Sequence, residues 1–184
     1  MTKTVKLTAF VAVSLLFALT SCESIKEKLA VTVPINDREL VFEVGTNPTA
    51  APAFKAPAAT NAVVLLDKTY DVNVESEAKK LGYDMDNIIE FVLSAASIEL
   101  IEPLDFNLNE FSNIKLYFDD QTKLVAQVDK IANGKITIKI VNGDLLQKLK
   151  ADQLHVIITG DNLPSKRVKL KLITSYKAKI NIFK

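Results

Sequence analysis

The stretch RVKLKLITSYKAKINI, residues 167–182, alternates apolar and basic residues along its whole length. One parity holds Val168, Leu170, Leu172, Thr174, Tyr176, Ala178, Ile180 and Ile182. The other parity holds Arg167, Lys169, Lys171, Ile173, Ser175, Lys177 and Lys179. Successive side chains of a strand point to opposite faces. The pattern therefore predicts one long strand with a buried face and a mainly basic face in solvent.

Further strands are predicted before this one, most of them by period-two patterns, over 31–35, 40–44, 96–102, 114–118, 123–131, 135–140 and 154–158. A continuous apolar run over 63–66 predicts another strand, which extends to Tyr70 or Val72. Pro34 suggests that the first of these strands lies at a sheet edge. Asn133-Gly134 is typical of a two-residue type I′ hairpin.

Three short segments have helical rather than alternating patterns. The first covers 74–81, with Asn73 as its cap and Gly82 at its end. The second starts at Asp84 or Asp86 and places Ile88, Ile89 and Val92 on one apolar side. The third follows Gly143-Asp144, over 145–149. The predicted fold is therefore mainly β and antiparallel, with short helical insertions.

Residues 81–118, LGYDMDNIIEFVLSAASIELIEPLDFNLNEFSNIKLYF, combine a helical piece, a strand, a break and a strand. This order resembles the immunoglobulin-like sandwich lipoproteins of many Bacteroidetes, and it also resembles the late-embryogenesis-abundant type 2 sandwich. The resemblance implies an antiparallel immunoglobulin-like β-sandwich. It rests on a pattern of elements without an invariant functional motif, so it implies no activity.

The first 22 residues have the layout of an export signal. Lys3 and Lys6 precede an almost wholly apolar run over 7–19, which is too short to span a bilayer but suits a secretory signal. A buried core helix is the alternative interpretation. The run ends in Leu19-Thr20-Ser21-Cys22, and this sequence resembles the lipobox of bacterial lipoproteins.

The lipobox resemblance implies that residues 1–21 are removed and that Cys22 becomes an acylated N-terminus carrying palmitate-type chains. Glu23 stands where Asp would favour retention in the inner membrane, so an outer-membrane anchor is implied, facing the periplasm or the medium. A free thiol or an intermolecular disulfide is the alternative for Cys22, the only cysteine of the chain. The expected organisation is a signal peptide (1–21), an acylated tether (22–29) and a single β-sandwich domain (30–184).

Residues 45–61 of that domain are rich in proline and alanine and interrupt the strand patterns. Two interpretations stay open, a flexible binding loop and a solvated crossover between sheets. Loops of this length are uncommon in compact domains and are often functional or disordered.

Charge is unevenly distributed along the chain. Residues 22–112 carry 7 basic and 16 acidic side chains, whereas residues 113–184 carry 14 basic and 6 acidic ones. One interpretation is that the halves pair, so that acids and lysines alternate across neighbouring strands. The other is a basic interaction surface that meets an anionic lipid, a glycan or an acidic envelope protein. Its residues are Arg167, Lys169, Lys171, Lys177 and Lys179. The overall balance does not suggest nucleic acid as a partner, and no aromatic residue interleaves these lysines.

Residues that could support catalysis are few. The one histidine, His155, lies in a predicted strand on the face opposite Leu154 and Val156, where a surface role is the usual one. There is no nucleophile elbow, no zinc-ligand spacing and no phosphate-binding glycine loop. Asp84 and Asp86 suit helix capping better than a calcium loop. Asp119-Asp120 suits a turn.

The sequence thus predicts no catalytic residue, metal site or cofactor. The expected function is that of a membrane-anchored lipoprotein whose non-catalytic sandwich serves binding, assembly or envelope structure. A lipid- or glycan-binding module is the first alternative, and a hydrolase with paired carboxylates is a further one.

Overall fold

The computed structural model describes residues 30–45, 62–149 and 152–182. The predicted signal peptide (1–21), Cys22 with its tether (22–29) and the predicted loop beyond Gly45 lie outside the described residues. The strands are β1 (Ala30–Val44), β2 (Val63–Asp71), β3 (Ile88–Glu102), β4 (Lys115–Phe118), β5 (Ala126–Ala132), β6 (Lys135–Ile140), β7 (Gln153–Gly160) and β8 (Val168–Asn181). One α-helix, α1 (Val74–Lys80), and three short 3₁₀ turns, Met85–Asn87, Leu108–Glu110 and Leu146–Lys148, complete the described structure.

The eight strands form one antiparallel sheet in the order β1-β8-β3-β6-β5-β4-β7-β2, which curls into a half-barrel. The prediction of a mainly β, antiparallel fold is confirmed. The two separate sheets of an immunoglobulin-like sandwich are not confirmed, because all the described strands belong to the same sheet. The alternating patterns predict one buried face on each strand. That face is buried here by other strands of the same curled sheet and not by a second sheet. Irregularities in register along β1 and β3 fit this curvature, since a bulge bends its strand and increases the local twist.

Strand β8, which carries most of the predicted basic surface, lies between β1 and β3. Its even-numbered residues from Val168 to Ile180 are all buried, as the alternation predicts. At one end of the sheet Ala30 pairs with Asn181, and we call this the tether end because β1 begins there. At the other end, which we call the far end, Val44 pairs with Val168.

The interior of the curl is filled by apolar side chains from all parts of the sheet. Tyr176 of β8 is 1% exposed and stacks on Phe91 of β3, with ring centroids 5.1 Å apart. Its hydroxyl hydrogen bonds to that of Tyr70, which comes from the opposite edge strand, β2. The two tyrosines therefore join the two halves of the sheet across the core.

Two local predictions are confirmed and one is wrong. Pro34 lies on edge strand β1, and the pair Asn133-Gly134, with φ of 52° and 69°, forms the β5–β6 hairpin. The helix expected to start at Asp84 or Asp86 is only the 3₁₀ turn Met85–Asn87, after which β3 begins at once. Register shifts in β3 break the period of two there, which makes its apolar spacing look helical.

Helix α1 is confirmed, but its cap is not the predicted one. Asn73 has φ 54° and makes no side-chain capping bond. Instead, the Oδ1 atom of Asp152 accepts hydrogen bonds from the backbone N–H of Val74, at 2.5 Å, and of Glu75, at 3.2 Å. A carboxylate from just before β7 thus satisfies the first free N–H groups of the helix.

Candidate functional site

The outer row of β8 consists of its odd-numbered side chains, and it contains most of the predicted basic surface. Lys169 faces Glu43 on β1 and Glu102 on β3 in the strand register. Lys171 similarly faces Val41 and Glu99. Basic residues of the second half of the chain therefore lie between acidic residues of the first half.

These neighbours form ion pairs at the far end of the sheet. Lys169 Nζ donates to Glu102 Oε1 at 3.1 Å, and Lys171 Nζ donates to Glu39 Oε1 at the same distance. The remaining contacts join Lys171 to Glu99 at 3.6 Å, Lys135 to Glu99 at 3.1 Å, and Arg167 Nε to Glu43 Oε2 at 2.8 Å. We call Arg167, Lys169, Lys171 and these glutamates the paired cluster. It has the cross-strand charge pairing that the uneven charge distribution suggests.

Two residues of the paired cluster, Glu99 and Lys171, have pKa values shifted in the direction that favours their charged forms. The hydrogen bond from Lys135 lowers the pKa of Glu99, to which Lys171 adds an attractive charge. The carboxylate of Glu39 raises the pKa of Lys171. Glu99 and Lys171 are therefore held in the charged form over a wider pH range than in an unfolded chain.

Lys177 and Lys179 differ from the rest of the predicted surface. Within the described residues neither makes an ion pair. Lys177 faces Pro34 and Val92 in the register, whereas Lys179 faces Thr32 and Glu90. We call these two residues the open lysines. The structure thus divides the predicted basic surface into a neutralised part at the far end and an unpaired part near the tether end.

His155 lies on the other half of the sheet and borders a shallow depression of about 310 Å³. The depression is lined only by polar side chains, those of Thr69, Asp119, Lys148, Gln153 and His155. His155 Nε2 lies 2.6 Å from Asp67 Oδ1, and Nδ1 lies 3.2 Å from the backbone oxygen of Asp119. Both ring nitrogens are therefore engaged, one by Asp67 of β2 and the other by the residue that follows β4.

The turn after β4 adds charge to the rim of this depression. Asp120 accepts hydrogen bonds from the Thr122 hydroxyl and, at 2.9 Å, from Lys148 Nζ, and these hold the pKa of Asp120 well below its usual range. The turn predicted at Asp119-Asp120 is confirmed, since Asp120 Oδ1 also accepts from the Thr122 backbone N–H at 2.8 Å. Sequence reasoning missed Lys148, because no local pattern relates it to a turn 28 residues earlier.

The interior holds a group of three hydroxyls, from Tyr70, Thr174 and Tyr176, that sequence reasoning also missed. Tyr70 and Tyr176 share a hydrogen bond, and Thr174 Oγ1 lies 3.4 Å from the Tyr70 hydroxyl. Burial raises the pKa of both phenols, well above the usual value for Tyr176. The arrangement suits a neutral structural tie and offers no ionised nucleophile at neutral pH.

Residues 30–45, 62–149 and 152–182 contain no group of three or more metal-ligating side chains suited to hold an ion. No helix within the described part of the chain has the length and apolar character needed to cross a membrane.

Comparison with known proteins gives no family to which the site could be assigned. No protein-family model, curated protein or solved structure matches this chain.

Proposed function

We propose that this chain is a lipid-anchored protein of the cell envelope whose β domain acts by non-catalytic binding or assembly. The observation that carries the proposal is the position of Cys22, the only cysteine of the chain. It follows an apolar run and the residues Leu19-Thr20-Ser21, and it precedes the first described strand by eight positions. The outer membrane is the proposed location because Glu23 follows the cysteine.

The fold is compatible with such an anchor on energetic grounds. Each buried CH₂ group of an acyl chain contributes about 0.8 kcal/mol, so two or three chains give a stable attachment. The domain needs no thiol for its own stability, because its core consists of apolar side chains such as Leu116, Ile136 and Leu154. Acylation of Cys22 therefore takes nothing from the packing of the sheet.

A binding role on the outer surface fits the same packing. The concave side of the sheet is occupied by its own side chains, which favours a partner on the outside over a lipid inside the domain. The outer face of β1, β8 and β3 offers charged groups of both signs at fixed positions, suited to an envelope protein or another polar partner.

The anchor is tested with the full-length chain in a bacterial host that processes lipoproteins. Wild-type protein should take up radiolabelled palmitate and fractionate with membranes. Cys22→Ser should lose the label and accumulate as a precursor. Ser21→Ala is the matched control, because it keeps a small residue beside the cysteine and should label normally. Labelling of Cys22→Ser would refute the anchor.

A small glycan is a second candidate ligand, favoured by the polar residues that line the His155 depression. Sugar hydroxyls need hydrogen-bond donors and acceptors together, and Lys148, Gln153 and Asp119 supply both. In a glycan-array experiment His155→Ala should weaken any signal that the wild-type chain gives. Gln127→Ala, an exposed change on β5, should leave it intact. Equal signals for both variants would remove the depression from consideration.

A further inference from the structure

We propose that the tether end of the sheet rests on the membrane, with the open lysines, Lys177 and Lys179, facing anionic phospholipid headgroups. This inference rests on the proposed anchor at Cys22. It adds the orientation of the domain and the chemistry of the surface that it meets.

The length of the tether limits where the domain can be. Eight peptide units separate Cys22 from Ala30, and a fully extended chain of that length reaches at most about 29 Å. Ala30 pairs with Asn181 at the tether end of the sheet, and Asn87 at the start of β3 donates to the Asn181 carbonyl oxygen at 3.3 Å. An anchor at Cys22 therefore keeps Ala30, and with it this end of the sheet, within about 29 Å of the bilayer.

The tether end also exposes an apolar side chain on its β1 side. Val31, which faces Ile180 in the register, is 48% exposed. Apolar side chains next to lysines are the combination that favours the boundary between headgroups and acyl chains.

The charges near this end distinguish it from the paired cluster. Lys177 lies six residues from Lys171 along β8, which is about 20 Å in a strand. That separation exceeds the Debye length of about 10 Å at moderate salt, so the glutamates of the paired cluster do not neutralise the open lysines. Glu90 faces Lys179 in the register without an ion pair, and Asp84 and Asp86 lie in the turn before β3.

These acidic residues decide which part of the tether end can meet an anionic surface. Beside the open lysines, β1 presents Thr32 and Pro34, and its first carboxylate among the described residues is that of Asp37, at the irregularity between the Ile35 and Arg38 pairs. The acidic groups nearest the tether end, Asp84, Asp86 and Glu90, come from β3 and its preceding turn. The proposed contact is therefore the β1–β8 side of the tether end, tilted away from Glu90.

The test uses acylated full-chain product purified from membranes and reconstituted in two kinds of vesicle, phosphatidylcholine alone or phosphatidylcholine with phosphatidylglycerol. Lysine acetylation rates are measured site by site by mass spectrometry. Lys177 and Lys179 should react about fivefold more slowly in the anionic vesicles, the factor expected for one cation at an anionic surface. The difference should shrink in high salt.

Lys68 on β2 and Lys130 on β5 are the matched internal controls, because both are exposed and form no ion pair within the described residues. Their rates should not depend on the lipid. In the variant Lys177→Gln/Lys179→Gln, amide exchange of the first residues of β1 should lose its dependence on phosphatidylglycerol. Lys68→Gln/Lys130→Gln should keep it. Equal rates for Lys177 and Lys179 in the two kinds of vesicle overturn the proposal.

Failure of the anchor and failure of the orientation are distinguishable in this experiment. If Cys22 is not acylated in cells, the proposed anchor is wrong. The free thiol of the full chain can then be coupled to a maleimide lipid in the same vesicles, and the lysine rates still decide whether the tether end seats on anionic lipid.

Discussion

The inner and outer rows of β8 come from the same strand but depend on different interactions. The inner row is buried against apolar and aromatic neighbours from β1, β3 and β2. The outer row is partly exposed, and its contacts are ion pairs that end before Lys177. Stability and surface chemistry are therefore separated by parity on one strand. Changes to the outer row should alter binding with little effect on folding.

The largest effect is expected from truncation of the inner row. Leu172→Ala removes a side chain that is 1% exposed and leaves a cavity, so the free energy of unfolding should fall by about 2–5 kcal/mol. Urea denaturation followed by circular dichroism measures it. Ile173→Ala is the control on the next residue, in the outer row, and should cost far less. Equal costs would mean that the outer face is also covered.

A smaller effect is expected when only the polar group of the inner row is removed. Tyr176→Phe keeps the stacking on Phe91 but loses the hydrogen bond to Tyr70, and should cost about 1 kcal/mol. Because burial raises the pKa of Tyr176, its contribution is present below the unfolded value of about 10 and is lost as the pH rises further.

Alkaline denaturation of the wild-type chain and of Tyr176→Phe should therefore differ. The variant should lose less stability than the wild type between neutral pH and strongly alkaline pH. Identical pH profiles would contradict the burial of the Tyr176 phenol in the folded chain.

In the outer row the largest effect is expected at the paired cluster. Glu99→Gln removes a partner of both Lys135 and Lys171, yet exposed pairs contribute at most about 1 kcal/mol. Since the Lys135 hydrogen bond lowers the pKa of Glu99, the contribution is present above about pH 4.3 and is lost as the pH falls through the folded-state pKa.

We expect the difference in the free energy of unfolding between wild type and Glu99→Gln to shrink as the pH falls into the acid range. Unfolding measured at several pH values tests this. Glu90→Gln is the matched control, because Glu90 is exposed and makes no ion pair within the described residues. A difference that does not change between pH 7 and acid would contradict the assignment.

The smallest effect is expected at the open lysines. Lys177→Gln should change the free energy of unfolding by no more than about 0.5 kcal/mol, because no ion pair among the described residues is lost. Lys171→Gln should have the larger effect of the two. A marked loss of stability for Lys177→Gln would show that this lysine has a structural partner.

The sequence predicts the local fold well where one face of a strand is continuously buried. In β8 the register cannot slip by one residue without exposing the whole apolar row, so its alternation is strict from Val168 to Ile180. In β3 the register shifts near Ile88 and Leu93 break the alternation, and the resulting spacing resembles a helix. In β1 a similar shift between Ile35 and Arg38 makes one strand look like two.

Long-range contacts could not be predicted from one sequence, because no local pattern records them. The capping of α1 by Asp152 and the pairing of Lys148 with Asp120 both join distant segments. The same limit applies to the sheet, since alternation shows that a face is buried but not whether a second sheet or the curled sheet itself covers it. The lysines of the predicted basic surface occupy outer-row positions of β8, as the alternation indicates. The division of this surface into paired and open parts could not be predicted, because it depends on which strands flank β8.

The antiparallel pairing of β1 with β8 has a mechanical consequence if the chain is tethered at Cys22. A pull toward the membrane acts on Ala30, at the beginning of β1, and is directed along the strand. Hydrogen bonds of an antiparallel ladder run perpendicular to the strands. Such a force loads the hydrogen bonds between β1 and β8 in shear. All of them then bear the force at the same time instead of opening one after another, so we expect this attachment point to give the domain high resistance to tension.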